Sequence, residues 1–225
     1  MYLGIDPFSV KRYARVHPLR LAFTGYARAM DRIAGLRHGR NALEEIREPW
    51  PPAPDYRRAD TAVTPDQMAA LLHFAKKAEA LPGSIVEIGS YRGVTTSLLA
   101  AQTERTVHAV DPFRNYGGAE GDFAIFRENT QDHGNVVHLR DTSGAAAEHW
   151  SNGAICFVFV DAVHDYVNTR FDAAVWGERL SPGGYLAMHD VDNADFPGTR
   201  RASLEMSKRM RLVCHVNDLV VLQKA

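Results

Sequence analysis

The stretch Ser84-Ile-Val-Glu-Ile-Gly-Ser-Tyr-Arg-Gly93 decides how the chain is read. A short β-type run enters a loop bounded by two glycines, and a helix is predicted near 93–103. A strand that turns through glycines into a helix is the opening unit of a sheet built with helical crossovers. Moving outward, the alternation repeats. Strands are predicted at Thr106–Asp111, Asn135–Leu139, Ile155–Asp161 and Tyr185–His189, with helices near 123–130, 167–180 and 199–209. Ile155-Cys-Phe-Val-Phe-Val160 is apolar throughout, as suits a strand covered on both faces. Ser181-Pro-Gly-Gly184 reads as a tight turn. The last two strands, Arg211–Val216 and Leu219–Leu222, are split only by Asn217-Asp218, so they pair antiparallel. The expected fold is α/β: a doubly wound, seven-stranded, mainly parallel sheet with an antiparallel last strand.

Upstream, Thr64-Pro65-Asp66-Gln67 reads as a helix start, with Thr64 as cap, Pro65 in the first position and Gln67 closing a capping box. Met68, Leu71, Leu72, Ala75 and Ala78 give that helix a buried stripe, and Pro82-Gly83 end it. Glu48-Pro-Trp-Pro-Pro-Ala-Pro-Asp55 forces an extended connection. It divides an N-terminal helical extension, residues 1–60, from a main domain, residues 61–225. In the extension Leu19, Ala22, Phe23, Tyr26, Met30 and Ile33 recur at helical spacing, a stripe expected to pack on the main domain or on a second subunit. A homo-oligomer is expected, with this helix at its interface.

Composition bounds the function. The 225 residues are 45% hydrophobic and 24% charged, ordinary for a globular protein and unlike a disordered chain or a rod. The net charge of −1 lacks the basic footprint of a nucleic-acid binder. That neutrality conceals a split: residues 1–60 carry +4 and residues 61–225 carry −5. No apolar run approaches the roughly 20 residues needed to span a bilayer, so no membrane partner is expected. Cys156 and Cys214 lie in β-type runs and read as core residues of a reducing, cytoplasmic compartment.

In an open α/β sheet, ligands bind beyond the carboxyl ends of the strands. Those ends read Glu87-Ile-Gly89, Asp111-Pro-Phe113, Arg140-Asp-Thr142, Asp161-Ala-Val-His164 and His189-Asp-Val-Asp192. All five carry polar or charged groups. The glycine loop is E-x-G-x-x-x-G rather than the dinucleotide pattern G-x-G-x-x-G. Glu87 would repel a pyrophosphate but suits an amine, and Asp111 ends the second strand where a carboxylate can hold ribose hydroxyls. Arg114–Asp122 is glycine-rich enough for a loop closing over an acceptor, with Tyr116 in its lining.

At these residues the chain resembles the class I S-adenosylmethionine-dependent methyltransferases, over roughly residues 62–225. The resemblance implies a Rossmann-like fold, with Gly89, Ser90 and Gly93 lining the methionine and ribose, and Asp111 on the ribose. It places Glu87 among the cofactor-binding residues and Arg140, Asp141 and Thr142 at the adenine. Asp161-x-x-His164 and His189-Asp190 further resemble the metal-dependent O-methyltransferases of the catechol type, and still more the small bacterial enzymes that methylate natural-product sugars. That implies a small-molecule acceptor, His164 as base, and Mg²⁺ held by Asp161, His189 and Asp190. His189 departs from the carboxylate those families commonly carry there, and histidine suits transition metals better than magnesium. Asp192 is a substitute ligand in this reading. Three alternatives stay open: a metal-independent methyltransferase, an NAD-dependent oxidoreductase or epimerase, and a non-catalytic cofactor-binding partner. The acceptor itself is not specified by the sequence.

Overall fold

The computed structural model describes residues 18–36, 44–114 and 118–225. Its strands are β1 Ser84–Ile88, β2 Val107–Val110, β3 Val136–Leu139, β4 Ile155–Val160, β5 Leu180–Met188, β6 Arg211–Val216 and β7 Leu219–Gln223. They form one sheet in the order β3-β2-β1-β4-β5-β7-β6. The first five pair in parallel, while β7 runs antiparallel to both β5 and β6. The expected α/β architecture is therefore the one observed. The order reverses between β1 and β4, and that switch point is where a ligand crevice opens.

The helices are α1 Pro18–Gly35, α2 Pro65–Ala78, α3 Val94–Ala101, α4 Glu120–Thr130, α5 Ser143–Glu148, α6 Tyr166–Glu178 and α7 Pro197–Met206. Every residue of β1 and β4 is buried. Phe157 and Phe159 pack into the layer of Met68, Leu71 and Phe74 from α2, whereas Val158 and Val160 pack with Phe171 and Trp176 of α6. A period of two on a sheet covered on both sides produces this division. Each such side chain contributes roughly 1.5–3 kcal/mol of burial, which is why the switch point is rigid.

Local chemistry sets the helix starts. At α2 the Thr64 hydroxyl accepts from the Gln67 N–H at 3.5 Å, and Gln67 Oε1 accepts from the Thr64 N–H at 2.7 Å. The capping box read from the sequence is present. Cys156 and Cys214 are buried free thiols, as expected of core cysteines. Among the described residues no helix is long and apolar enough to cross a membrane.

Three features differ from the sequence reading. Ser181–Gly184 is not a separate turn: β5 runs through it, pairing Ile155 with Leu180 and then Phe157 with Tyr185, so the extra residues bulge. The short helix α5 was absent from the sequence pattern because six residues cannot display a helical period. In α1 the stripe is rotated. Tyr26 and Ile33 are 51% and 43% exposed, while Ala34 is buried and Met30 packs on the core. The side chains of Leu19, Ala22 and Phe23 lie outside the described residues, as does Tyr116.

Candidate active site

The loops expected to cradle the cofactor are built where β1 and β2 end. Gly89 has φ +90° and its N–H donates to Val110 O at 2.9 Å, while the Asp161 N–H donates to Ile88 O at 2.9 Å. The loop beyond β1 is thereby stitched to both flanking strands. Asp111 is buried, and its two oxygens accept the N–H groups of Tyr91 at 3.0 Å and Phe113 at 2.8 Å. Burial raises its pKa, and these two amides partly offset the rise. Tyr91 and Phe113 both have positive φ, conformations that non-glycine residues rarely adopt and that the surrounding hydrogen bonds hold in place. Beside them lies a cavity of about 290 Å³, lined among others by Glu87, Gly89, Ser90, Asp111, Asp161 and His164.

Glu87 is fully enclosed in β1, where the Thr96 hydroxyl donates to its carboxyl. Burial pushes its pKa up to about 8, and the Asp161 and Asp111 charges add to the rise against that hydrogen bond. Between the unfolded value of 4.5 and about 8, the folded chain keeps a proton that the unfolded chain has lost. Glu87 therefore favours folding at low pH, and this contribution is lost as pH rises through 8. Glu87→Gln is expected to flatten the fall in thermal midpoint between about pH 5 and 8.5. Parallel curves for the two proteins would mean another group titrates.

A second cluster sits at the ends of β4 and β5. Asp161, His164 and Asp190 offer ligand atoms that all lie within 4.8 Å of one another. His164 Nδ1 faces Asp190 Oδ2 at 3.3 Å, and its ring lies against Phe196 with centroids 4.6 Å apart. His189 is only 3% exposed; its Nδ1 meets Asp161 Oδ1 at 3.3 Å and Asp190 Oδ2 at 3.4 Å, as ion pairs rather than aligned hydrogen bonds. Its Nε2 reaches Gln67 Oε1 at 3.2 Å. Burial lowers the pKa of His189, but the two carboxylates outweigh it and raise it to about 11. Burial likewise raises that of Asp190, and its pairing with His189 prevails, bringing it down to about 2. The two carboxylates on either side of His189 thus favour its protonated form. Of the expected ligands, Asp161 and Asp190 converge with His164, and His189 is buried alongside them.

Other expected residues divide. Glu87, Gly89, Ser90, Asp111 and Thr142 line the cavity, and Gly93, Arg140 and Asp141 do not. Gly93 has φ +74° and makes the turn into α3, where a Cβ would lie 2.8 Å from the Phe126 ring. The Arg140 guanidinium pairs with Glu120 and sits 4.4 Å over the Phe123 ring. Asp141 accepts from the Thr142 N–H at 2.8 Å. Asp192 is engaged by Arg200 and by His215 Nε2 at 2.9 Å, so it ties α7 to β6 rather than serving as a ligand. Trp150 stacks edge-on with His108 and Trp176, away from the cavity.

The sequence reading missed Asp60, Thr61 and Ala62, which line the same cavity. Arg92 bridges Asp60 and Asp122 at 2.8 Å each, fastening this segment over the glycine loop. It also missed Gln67 and Asp218, which meet His189 from behind. Only the capping role of Gln67 was legible.

No curated protein sequence matches the chain. Among solved structures, the O-methyltransferase NovP is similar over 90% of this chain and 99% of its own, at 15% identity and a TM-score of 0.64. CalS11, a calicheamicin methyltransferase, is similar over 72% and 80%, at 18% identity and a TM-score of 0.56. TomG from Streptomyces achromogenes, an O-methyltransferase of tomaymycin synthesis solved with S-adenosylmethionine, is similar over 73% and 82%, at 15% identity and 0.56. Likeness at these identities speaks for the fold. Residues 86–191, from the middle of β1 to just beyond β5, match the family described as a methyltransferase domain. That match spans the glycine loop, Asp111 and the Asp161–Asp190 cluster, so residues 86–191 carry a methyltransferase domain on a Rossmann-like fold.

Proposed function

We propose that the enzyme methylates a hydroxyl of a small molecule, of the natural-product sugar or polyol class, with Asp161 and Asp190 holding Mg²⁺ and His164 taking the proton. One observation carries this: two carboxylates and an imidazole converge within 4.8 Å, and two of the three line the cofactor cavity. The O-methyltransferase activity of NovP and TomG supports the oxygen acceptor, and the near-neutral charge supports a small one.

The residues present suit both groups. Ser90 Oγ is buried without a hydrogen-bond partner among the described residues, and Asp111 is preset by two amides while keeping lone pairs for ribose hydroxyls. Carboxylate oxygens are the donors Mg²⁺ prefers, and it retains waters, so two suffice. When bound, S-adenosylmethionine supplies a methyl group on a sulfonium sulfur, and Mg²⁺ supplies the charge that acidifies the acceptor hydroxyl. Glu87 stands where it can meet the amino group, whose charge would draw off its proton. Asp190 orients His164 through Nδ1, leaving Nε2 to receive the hydroxyl proton.

Chelation tests the metal. In EDTA turnover is expected to fall at least about 100-fold and to return with Mg²⁺, while calorimetric S-adenosylmethionine affinity is unchanged. Undiminished turnover would favour the second reading, which the His164–Asp190 pair supports: a metal-independent enzyme with His164 alone as base. Asp111→Ala is expected to weaken S-adenosylmethionine binding roughly 10- to 100-fold, the worth of hydrogen bonds to a charged group. Unchanged affinity would take Asp111 off the ribose.

A further inference from the structure

We propose that the N-terminal helix α1 is a positioning element of the active site, acting through Asp31. The proposal rests on the reading of His164 as the base. Asp31 Oδ1 accepts the backbone N–H of Tyr166 at 2.9 Å. Tyr166 begins α6, so this N–H has no acceptor within its own helix. The other local carboxylate, Asp165, is turned to the Asn168 N–H at 2.8 Å. The start of α6 is thus held by one carboxylate from its own loop and one from a helix 135 residues earlier.

The contact sits two residues after His164, at a point where three helices meet. Gly198, near the start of α7, approaches so closely that a Cβ there would lie 2.2 Å from Asp31 Oδ1 and 2.3 Å from Tyr166 N. From α7 the Thr199 hydroxyl donates to His164 O at 3.3 Å, and the preceding Phe196 lies against the His164 ring. From α6 the Thr169 hydroxyl donates to Val163 O at 3.1 Å. The loop carrying Asp161 and His164 is gripped by α6 and α7; Asp31 pins the start of α6 and lies close against Gly198 at the start of α7. Met30 and buried Ala34 seat α1 there, which accounts for the rotated stripe. Helix α1 therefore acts on the hydroxyl-activating side of the site rather than on the cofactor side, where Glu87 and Asp111 stand.

The test compares Asp31→Ala with Asp31→Asn, which keeps an acceptor oxygen, and follows kcat, S-adenosylmethionine Kd and the imidazole nitrogen resonances of His164. Asp31→Ala is expected to lower kcat about tenfold, the scale of a small misplacement of a reacting group. Its Kd should stay within about twofold while the His164 resonances move, and Asp31→Asn should recover most of the kcat. Wild-type kcat with unmoved His164 resonances in Asp31→Ala overturns the proposal, as does a Kd that rises as far as kcat falls. A fully active His164→Ala would remove the base reading instead, and the resonance shift in Asp31→Ala would still report the positioning.

Discussion

His164→Ala is expected to lower kcat by roughly 10²- to 10⁴-fold, the range for loss of a positioned base, while S-adenosylmethionine still binds. The separation follows from the geometry. Glu87, Ser90 and Asp111 stand on β1, β2 and the loops after them, whereas His164 is oriented by Asp190 at 3.3 Å and by the Phe196 ring at the far end of β4 and β5. Removing the imidazole alters one wall of the cavity and leaves Glu87, Ser90 and Asp111 in place. Single-turnover methyl transfer, measured beside calorimetric Kd, distinguishes the outcomes. Full turnover in the variant would reassign His164 to a structural role, and a lost Kd would mean that the two halves of the site are coupled.

Gly89→Ala is expected to destabilise the fold by more than about 4 kcal/mol, the magnitude reserved for named steric failures. A Cβ at this position would lie 2.1 Å from Asp161 O, 2.7 Å from its carbonyl carbon and 2.9 Å from Ala162 Cα. All three are backbone atoms, so no side-chain rotation can relieve the clash. Nor can the strand step aside, because Asp161 N–H is bonded to Ile88 O and His189 N–H to Val160 O. Gly153 is the control. Its φ of +77° is also positive, but nothing lies within 4 Å, so Gly153→Ala should cost only about 1–2 kcal/mol of backbone strain. Urea unfolding of both variants checks the pair; equal costs would show that the close approach of β1 and β4 is not what requires glycine at 89.

How legible the site was depended on whether a residue acts within its own segment. Glu87, Gly89 and Asp111 could be named because a strand end and the loop after it are contiguous in sequence, and strand ends point to one rim. His164 and Asp190 were legible for the same reason. Arg140 and Asp141 do not line the cavity, because a strand end fixes which rim a residue reaches, not whether its side chain turns inward; Arg140 finds Glu120 and the Phe123 ring. Asp60, Thr61 and Ala62 gave no signal at all. Their place over the cavity depends on Asp60 meeting Arg92, which is distant in sequence and is itself paired with Asp122.

The sequence by itself determined the alternating strands and helices, the antiparallel finish, the capping box at Thr64–Gln67 and the strand ends where chemistry gathers. These follow from periodicity and local hydrogen bonding, which act over a few residues. Only the tertiary structure decided that His189 lies between two carboxylates while His164 faces the cavity, and that α1 turns Asp31 rather than Tyr26 and Ile33 toward the domain. Adjacent residues at a strand end differ by half a period, and the neighbours that favour one side come from elsewhere in the chain: Gln67 and Asp218 behind His189, Tyr166 and Gly198 around Asp31. Orientation is settled by partners that only folding brings together.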